Sequence, residues 1–173
     1  MTKRFLTHLL ALGLCASAFA ADKKEECPAP RPANFGPLQK LVGKWTASGE
    51  CNGKKMDFNV NYRLTAGGSA LVETMNPGTP QEMVSVYTVD DGEIIMTHYC
   101  MLGNQPRMRQ SESDEPNKVV MRFDGATGLK SSKDPVMRDV IITVLDKNHF
   151  RQEWTARQDG KDVVSVFDYK RKS

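Results

Sequence analysis

The chain has 173 residues, with 24 lysines and arginines against 21 aspartates and glutamates, and 39% of its residues are hydrophobic. This length is sufficient for one domain whose apolar core needs no disulfide to hold it. The two signs of charge are interspersed, which argues against a nucleic-acid partner. No G-x-S-x-G, H-E-x-x-H or phosphate-cradling loop points to a known catalytic class.

The N-terminus is typical of an exported protein. A basic pair, Lys3 and Arg4, precedes an apolar run that ends in a small-x-small pattern at 18–20. The run is too short for a bilayer-spanning helix, which needs about 20 residues. We therefore expect residues 1–20 to be a signal peptide cleaved after Ala20, a secreted or periplasmic location, and no stable membrane insertion.

The remaining chain divides into a linker and one folded domain. Residues 21–36 are charged and then rich in proline and alanine, which predicts a flexible linker. Pro37 opens a short segment with the spacing of one or two helical turns. Residues 37–173 are then expected to form a single domain.

The cysteine count is odd once the signal peptide is removed. Cys27, Cys51 and Cys100 remain, so an oxidising compartment favours one disulfide and one free thiol. Cys51 is predicted to pair with either Cys100 or Cys27, and the sequence leaves both pairings open. No C-x-x-C pattern indicates a zinc ribbon or a thioredoxin-type redox site.

From Gly43 onward the hydrophobic period is two, which predicts β-strands. In Lys55 to Thr65 apolar and polar residues alternate without a break. Turn pairs such as Asn-Gly at 52–53 and Asp-Gly at 91–92 and 159–160 separate the segments. The ten predicted strands are roughly 43–52, 55–65, 69–76, 82–89, 93–101, 106–112, 117–124, 137–146, 149–157 and 162–170.

These short connections predict an all-β fold, a closed antiparallel up-and-down barrel of about ten strands. An open meander of that length would leave exposed edges, which favour aggregation. A sandwich is the alternative, but the connections are too short for Greek-key crossovers. Only residues 125–135 are long enough to cross a barrel end or form a flap.

The start of the first predicted strand resembles the calycin superfamily. Gly43-Lys44-Trp45 is similar to the G-x-W that opens the first strand of lipocalins, and Arg171 matches the basic residue that packs over that tryptophan. The domain resembles a group of secreted bacterial lipocalin-like proteins, and its strand number is nearer the fatty-acid-binding and nitrobindin-like branches. The nitrobindin branch binds haem through a histidine near its C-terminus, whereas the last histidine here is His149, so haem binding does not follow from the resemblance.

The stretch Met96 to Arg109 gathers most of the chemistry-bearing residues. His98 and Cys100 share one face of a strand whose two faces are both apolar, so alternation does not decide whether His98 points inward. His98 is then either a hydrogen-bonded core histidine or a residue presented to a ligand. Asn104 lies in a turn.

Arg107 and Arg109 share a face of the next strand. Pointing into the barrel they would bind a carboxylate, and pointing to water they would be ordinary surface residues. Glu73 stands among apolar residues, and we expect a buried carboxyl there to pair with His98 or Arg107. Trp154 shares a face with residues that would line the same cavity.

We therefore predict a binding protein for a small, mostly apolar, lipid-like ligand held inside the barrel. Its predicted ligand-binding residues are Glu73, His98, Cys100, Asn104, Arg107 and Trp154. Methionines on the inner faces, Met56 and Met96 among them, would give an adaptable lining. No cofactor is identified, and no metal site is expected from so few histidines.

Two alternative functions remain open beside binding of an apolar ligand. An isomerase or hydrolase would use Glu73 and His98 as an acid/base pair, which requires both groups to meet inside the cavity. Haem would instead bind through His98.

Overall fold

The computed structural model describes residues 29, 31–51 and 53–173 of the chain. The predicted signal peptide, most of the predicted linker and Cys27 lie outside these residues. Two short 3-10 helices occur, at Gly36–Leu41 and Ala66–Gly68. The strands are β1 (Gly43–Cys51), β2 (Lys54–Thr65), β3 (Ala70–Met75), β4 (Met83–Asp90), β5 (Glu93–Tyr99), β6 (Gln105–Ser111), β7 (Lys118–Thr127), β8 (Val136–Val144), β9 (His149–Gln158) and β10 (Lys161–Arg171).

The ten strands form a closed antiparallel barrel. Each strand pairs with its neighbours in the sequence, and β1 pairs with β10 to complete the ring. This confirms the predicted all-β barrel and its N-terminal helical turn. Among the described residues, no helix is long and apolar enough to span a bilayer.

One end of the barrel is capped by the helix Gly36–Leu41, and we call it the capped end. Leu38 and Leu41 of this helix are buried, as is Phe35 just before it, at 0% exposure. The apolar core therefore begins at Phe35, before the predicted domain start at Pro37. The Trp45 ring packs edge-on against Phe150 in the same layer, with centroids 4.7 Å apart.

Arg171 fastens the capped end. Its guanidinium lies 4.1 Å from the centroid of the Trp45 ring. It also donates hydrogen bonds to the backbone carbonyls of Val42 at 2.9 Å, Lys40 at 2.7 Å and Lys147 at 2.8 Å. Gly43 has a φ of +132°, and a Cβ there would stand 2.5 Å from Arg171 Nη1, so this approach requires glycine. The cap thus ties the helix to β1, β10 and the turn before β9.

The opposite end, which we call the mouth, is bounded by the turns that follow the odd-numbered strands. The loop of residues 128–135 before β8 packs against the turn of residues 100–104 after β5. Gly128 makes this approach possible, because a Cβ there would lie 2.7 Å from the Gly103 carbonyl oxygen. The side chain of Asn104 is buried between the two loops and donates to the Pro135 carbonyl at 2.8 Å.

Candidate functional site

A cavity of about 190 Å³ opens at the mouth. Its sulfur-bearing lining residues are Cys51, Met56, Met75, Met83, Cys100 and Met137. Its aromatic and aliphatic lining residues are Phe58, Trp154, Ala156, Val163, Phe167 and Tyr169. Its polar lining residues are Asn76, His98, Gln158 and Ser165. The wall is thus largely apolar, and His98 is its one imidazole.

The register of the sheet explains why His98 reaches the cavity. Glu73 pairs with Tyr62 on β2 and with Ser85 on β4, and Ser85 pairs with His98 on β5. These four residues form one inward-facing row, because directly opposite residues of paired strands point to the same side of a sheet. All of them are at most 2% exposed. The sheet register therefore settles the orientation that strand alternation left open.

Glu73 occupies the centre of a buried polar network beneath the cavity floor. Its carboxylate accepts hydrogen bonds from the Tyr87 hydroxyl at 2.8 Å and from Gln152 Nε2 at 3.2 Å. Gln152 Nε2 also donates to the Tyr62 hydroxyl at 2.8 Å, while its Oε1 accepts from Trp154 Nε1 at 2.8 Å and from the Tyr169 hydroxyl at 2.6 Å.

The network holds six side chains from five strands in fixed positions. Burial raises the pKa of Glu73, and the hydrogen bonds from the tyrosines, Gln152 and Ser85 partly oppose that rise by favouring the carboxylate. The pKa of Tyr62 and of Tyr87 is raised well above the usual value by burial and by the nearby Glu73. Both phenols therefore stay protonated, and the Tyr87 hydroxyl donates to the carboxylate.

His98 links this network to the cavity. Its Nδ1 lies 3.0 Å from Ser85 Oγ, and its ring packs beside Trp154 with centroids 5.2 Å apart. Burial lowers the pKa of His98 to about 4, so the ring is neutral at pH 7. Among the described residues Nε2 has no hydrogen-bond partner, and the ring forms part of the cavity wall.

The contact with Ser85 decides which nitrogen of that ring faces the cavity. Ser85 Oγ engages Nδ1 at 3.0 Å, so Nε2 is the nitrogen left to meet whatever enters the cavity. In a neutral imidazole one nitrogen carries the proton, so Nε2 presents a lone pair in one tautomer and an N–H in the other.

The six predicted ligand-binding residues separate into two groups. His98, Cys100 and Trp154 line the cavity, whereas Glu73 lies beneath it. Asn104 is buried in the loop contact at the mouth, outside the cavity wall, and its Oδ1 has no partner within the described residues.

Arg107 is on the outer face of the barrel. Its guanidinium pairs with Asp124 at 3.2 Å, and its side chain is 49% exposed. Arg109, on the same face, pairs with Glu93 at 2.9 Å. The alternative in which the two arginines point into the barrel as a carboxylate receptor is therefore wrong.

The predicted partners of Glu73 also differ from those observed. Neither His98 nor Arg107 bonds to its carboxylate; Tyr87 and Gln152 do. Ser85 stands between Glu73 and His98 in the row, so the two groups do not meet in the cavity as an acid/base pair. The sequence does carry a signal for this position of Ser85. It is the one small side chain between two larger inward residues, Met83 and Tyr87.

The cysteine positions bear on one of the two predicted pairings. Cys51 and Cys100 both line the cavity, and within the described residues neither forms a disulfide. The predicted Cys51–Cys100 bridge is absent, and the pairing with Cys27 falls outside the described residues.

Comparisons with known proteins identify the fold. No protein-family model matches the chain, and no curated protein matches it. The crystal structure of Rv2717c from M. tuberculosis is similar, with a TM-score of 0.50, 13% identity, and coverage of 79% of this chain and 98% of that one. A protein of unknown function of the DUF3598 family from Nostoc punctiforme aligns with a TM-score of 0.41, 12% identity, and coverage of 86% of this chain and 53% of that one. At these identities the likeness is one of β-barrel architecture.

Proposed function

We propose that this protein binds a compact, mostly apolar ligand in the cavity at the mouth of the barrel. The observation that carries this proposal is the apolar cavity, in whose wall one imidazole nitrogen has no hydrogen-bond partner among the described residues. Ligand sites in proteins have this character: an apolar lining with a few placed polar groups that fix orientation. The rigid network below His98 pre-organises that contact, which lowers the entropic cost of binding.

The volume of the cavity limits the size of the ligand. An engineered cavity of about 150 Å³ takes up benzene, and the cavity here measures about 190 Å³. A single aromatic ring with a short substituent fits that space. A long lipid tail or a haem would have to extend through the mouth, so a compact ligand is favoured over both.

Nε2 of His98 gives the site a chemical preference in either tautomer of the ring. A ligand that carries a hydroxyl can form a hydrogen bond with this nitrogen, whereas a hydrocarbon of the same shape cannot. A neutral hydrogen bond contributes about 0.5–1.5 kcal/mol. We therefore expect phenol to bind more tightly than toluene, and we expect the variant His98→Phe to remove that difference.

Titration of both compounds by calorimetry, together with native mass spectrometry of the freshly purified protein, tests the proposal. Ala156→Phe fills the cavity and should abolish binding of phenol and of an anilinonaphthalene dye. Thr155→Phe, on the outer face next to it, is the matched control and should bind as the wild type does. Retention of phenol and dye by Ala156→Phe would show that the cavity is not the binding site.

The structure favours binding over acid/base catalysis, because Glu73 is sealed beneath the cavity floor. We also propose that the mature protein acts outside the cytoplasm, on the basis of the signal-like N-terminus. Intact-mass measurement of protein from the periplasm or medium should give a chain that begins after Ala20; a full-length mass there would contradict this.

A further inference from the structure

Sulfur is concentrated at the mouth. Four of the nine methionines of the chain and two of its four cysteines line one cavity of sixteen residues. Adaptable packing is one use of such side chains. A wall with six of them also has the composition of a site for a soft metal ion, since thiolates and thioethers are the ligands such ions select.

The register brings three of these side chains together. Met75 pairs directly with Met83 across β3 and β4. On β4, Met83 lies two residues before Ser85, which pairs with His98, and Cys100 lies just beyond the end of β5, two residues after His98. Met75 and Met83 therefore stand side by side with Cβ atoms about 4.5–5.5 Å apart, and Cys100 follows the last pair of β4 with β5, Val84 with Tyr99. We call these three residues the sulfur row.

His98 lies one layer below the sulfur row and completes the donor set. Its Nδ1 is engaged by Ser85 at 3.0 Å, which leaves Nε2 for the cavity. Histidines that bind metals commonly have their other nitrogen fixed by a carboxylate or a carbonyl, which orients the ring. Here the chain from His98 through Ser85 to the buried Glu73 supplies that support.

We propose that the sulfur row and His98 bind one soft monovalent metal ion, Cu(I) or Ag(I), at the mouth of the barrel. Within the described residues no group of three or more His, Cys, Asp and Glu side chains is placed to hold a metal. The site therefore depends on the thioethers of Met75 and Met83, which hard ions and Zn²⁺ do not select. When Cys100 coordinates, its S–H bond is exchanged for a metal–sulfur bond and the proton passes to water.

This site overlaps the small-ligand site proposed above, because both use His98, but its sulfur donors stand on one wall of the cavity. Met75 and Met83 belong to β3 and β4 and Cys100 follows β5, whereas the opposite wall, formed by Ala156, Val163 and Phe167, belongs to β9 and β10. Leucine has nearly the volume and polarity of methionine but no sulfur. Replacing Met75 and Met83 by leucine therefore removes sulfur donors while His98 and the apolar character of the wall are kept.

The test is titration of the purified protein with Ag(I), followed by native mass spectrometry, and competition for Cu(I) against bathocuproine disulfonate under ascorbate. The wild type should bind one equivalent, with sulfur and nitrogen scatterers in the X-ray absorption spectrum. The double variant Met75→Leu/Met83→Leu should lose at least tenfold in affinity for either ion. Its circular dichroism spectrum and its urea unfolding midpoint should stay close to those of the wild type, which shows that the fold is kept.

Two matched controls distinguish the site from nonspecific sulfur binding. Met96→Leu/Met108→Leu alters two methionines that are buried at 0% exposure and lie outside the cavity wall, and it should bind the ion as the wild type does. Cys51→Ser removes the cavity thiol outside the sulfur row and should also keep the site. Equal losses in both methionine pairs, or full affinity in Met75→Leu/Met83→Leu, would overturn the proposal. So would a spectrum with no nitrogen donor, or retention of full affinity by His98→Phe.

Discussion

At the scale of single residues, a buried carboxyl, a hydroxyl and an imidazole are joined in series. Glu73, Ser85 and His98 sit on three adjacent strands, and each is at most 2% exposed. Burial raises the pKa of Glu73 and lowers the pKa of His98, because both shifts favour the uncharged form. The stability of the protein in mildly acidic solution therefore depends on two groups whose effects oppose each other.

His98 should make the protein less stable as the pH falls. The folded pKa of about 4 lies below the ordinary value of 6.5, so in this interval the unfolded chain takes up a proton that the folded chain does not. Between pH 7 and pH 5 this contributes a loss of about 2 kcal/mol. We expect urea unfolding of His98→Gln to lack this loss. A wild-type pH dependence in His98→Gln would contradict the assignment.

Glu73 should act in the opposite sense. Its folded pKa is raised, so its contribution to stability is greatest below the ordinary value of 4.5 and is lost as the pH rises through the folded pKa. The variant Glu73→Gln cannot ionise, so its free energy of unfolding relative to the wild type should increase between pH 4.5 and pH 7. A constant difference at all pH values would show that Glu73 titrates alike in both states.

Glu73→Ala should lower the free energy of unfolding far more than Glu73→Gln does. It leaves the Tyr87 hydroxyl and one donor of Gln152 without their acceptor, and each buried unsatisfied group costs about 1–3 kcal/mol. We expect a loss of about 3 kcal/mol or more in urea unfolding at pH 7, where Glu73→Gln loses much less. Comparable losses in the two variants would mean that the hydrogen bonds of Glu73 contribute little.

Residue types could be predicted from the sequence more readily than their partners. Alternation identified Glu73 and His98 as polar residues in apolar company, but not the side to which His98 points, because both faces of β5 are apolar. The partners of Glu73 come from β4 and β9, and Gln152 is 79 residues away along the chain. Contacts of that kind depend on the register of ten strands, which a single sequence does not specify.

At the scale of elements, the capped end joins the helix Gly36–Leu41 to β1 and β10, the first and last strands of the chain. Arg171 of β10 contacts the Trp45 ring of β1 and the carbonyls of Lys40, Val42 and Lys147. One side chain thus satisfies carbonyls at the end of a helix, at the start of a strand and in a turn. A planar guanidinium does this, whereas an ammonium group cannot make three divergent bonds and stack on an indole.

Arg171→Lys should therefore destabilise the barrel although it keeps the charge. We expect a loss of about 2 kcal/mol in the free energy of unfolding, from hydrogen bonds and stacking that lysine does not replace. Chemical denaturation followed by tryptophan fluorescence measures it. Lys172→Ala, at the exposed neighbouring position, should change stability by less than about 0.5 kcal/mol. Similar losses in both variants would show that net charge, not geometry, matters here.

Most elements were predictable because their signals are local. Turn pairs with Gly mark the hairpins, and Asp91 and Asp159 adopt the positive φ that primed turns need. The G-x-W at Gly43 and the basic residue at 171 pointed to contact at the barrel end. The boundary of the core was harder to predict from the sequence. Phe35 stands in a proline-rich stretch, and only its contact with the barrel shows that it is buried.

At the scale of the whole molecule, closure of the ring brings both ends of the described domain to the capped end. The amide of Ala33 donates to the Gly68 carbonyl at 3.0 Å, and Arg171 donates to the Lys40 carbonyl at 2.7 Å. Since β1 and β10 are paired, the order of strands around the ring does not depend on where the chain is cut. Chains whose two termini lie close together tolerate new termini in exposed turns.

A circular permutant should consequently fold. Joining Ser173 to Arg31 through a short glycine-serine linker and opening the chain between Asp159 and Gly160 leaves every strand intact. We expect cooperative urea unfolding and a circular dichroism spectrum like that of the parent. A permutant opened between Glu73 and Thr74, inside β3, should fail to fold. Equal behaviour of the two permutants would argue against an intact ring of ten strands.

Because both ends of the described domain leave from the capped end, the cavity faces away from them. The strands advance about 3.3 Å per residue and tilt by about 35–45° to the axis of a barrel, so strands this long separate its two ends by roughly 20–25 Å. A protein immobilised through either terminus would present its mouth to the solution, where ligands arrive unhindered. A fluorescent reporter fused at a terminus would for the same reason be a poor sensor of occupancy. A dye placed in the turn at Gly53 or in the loop of residues 76–82 would stand at the entrance and report what passes through it.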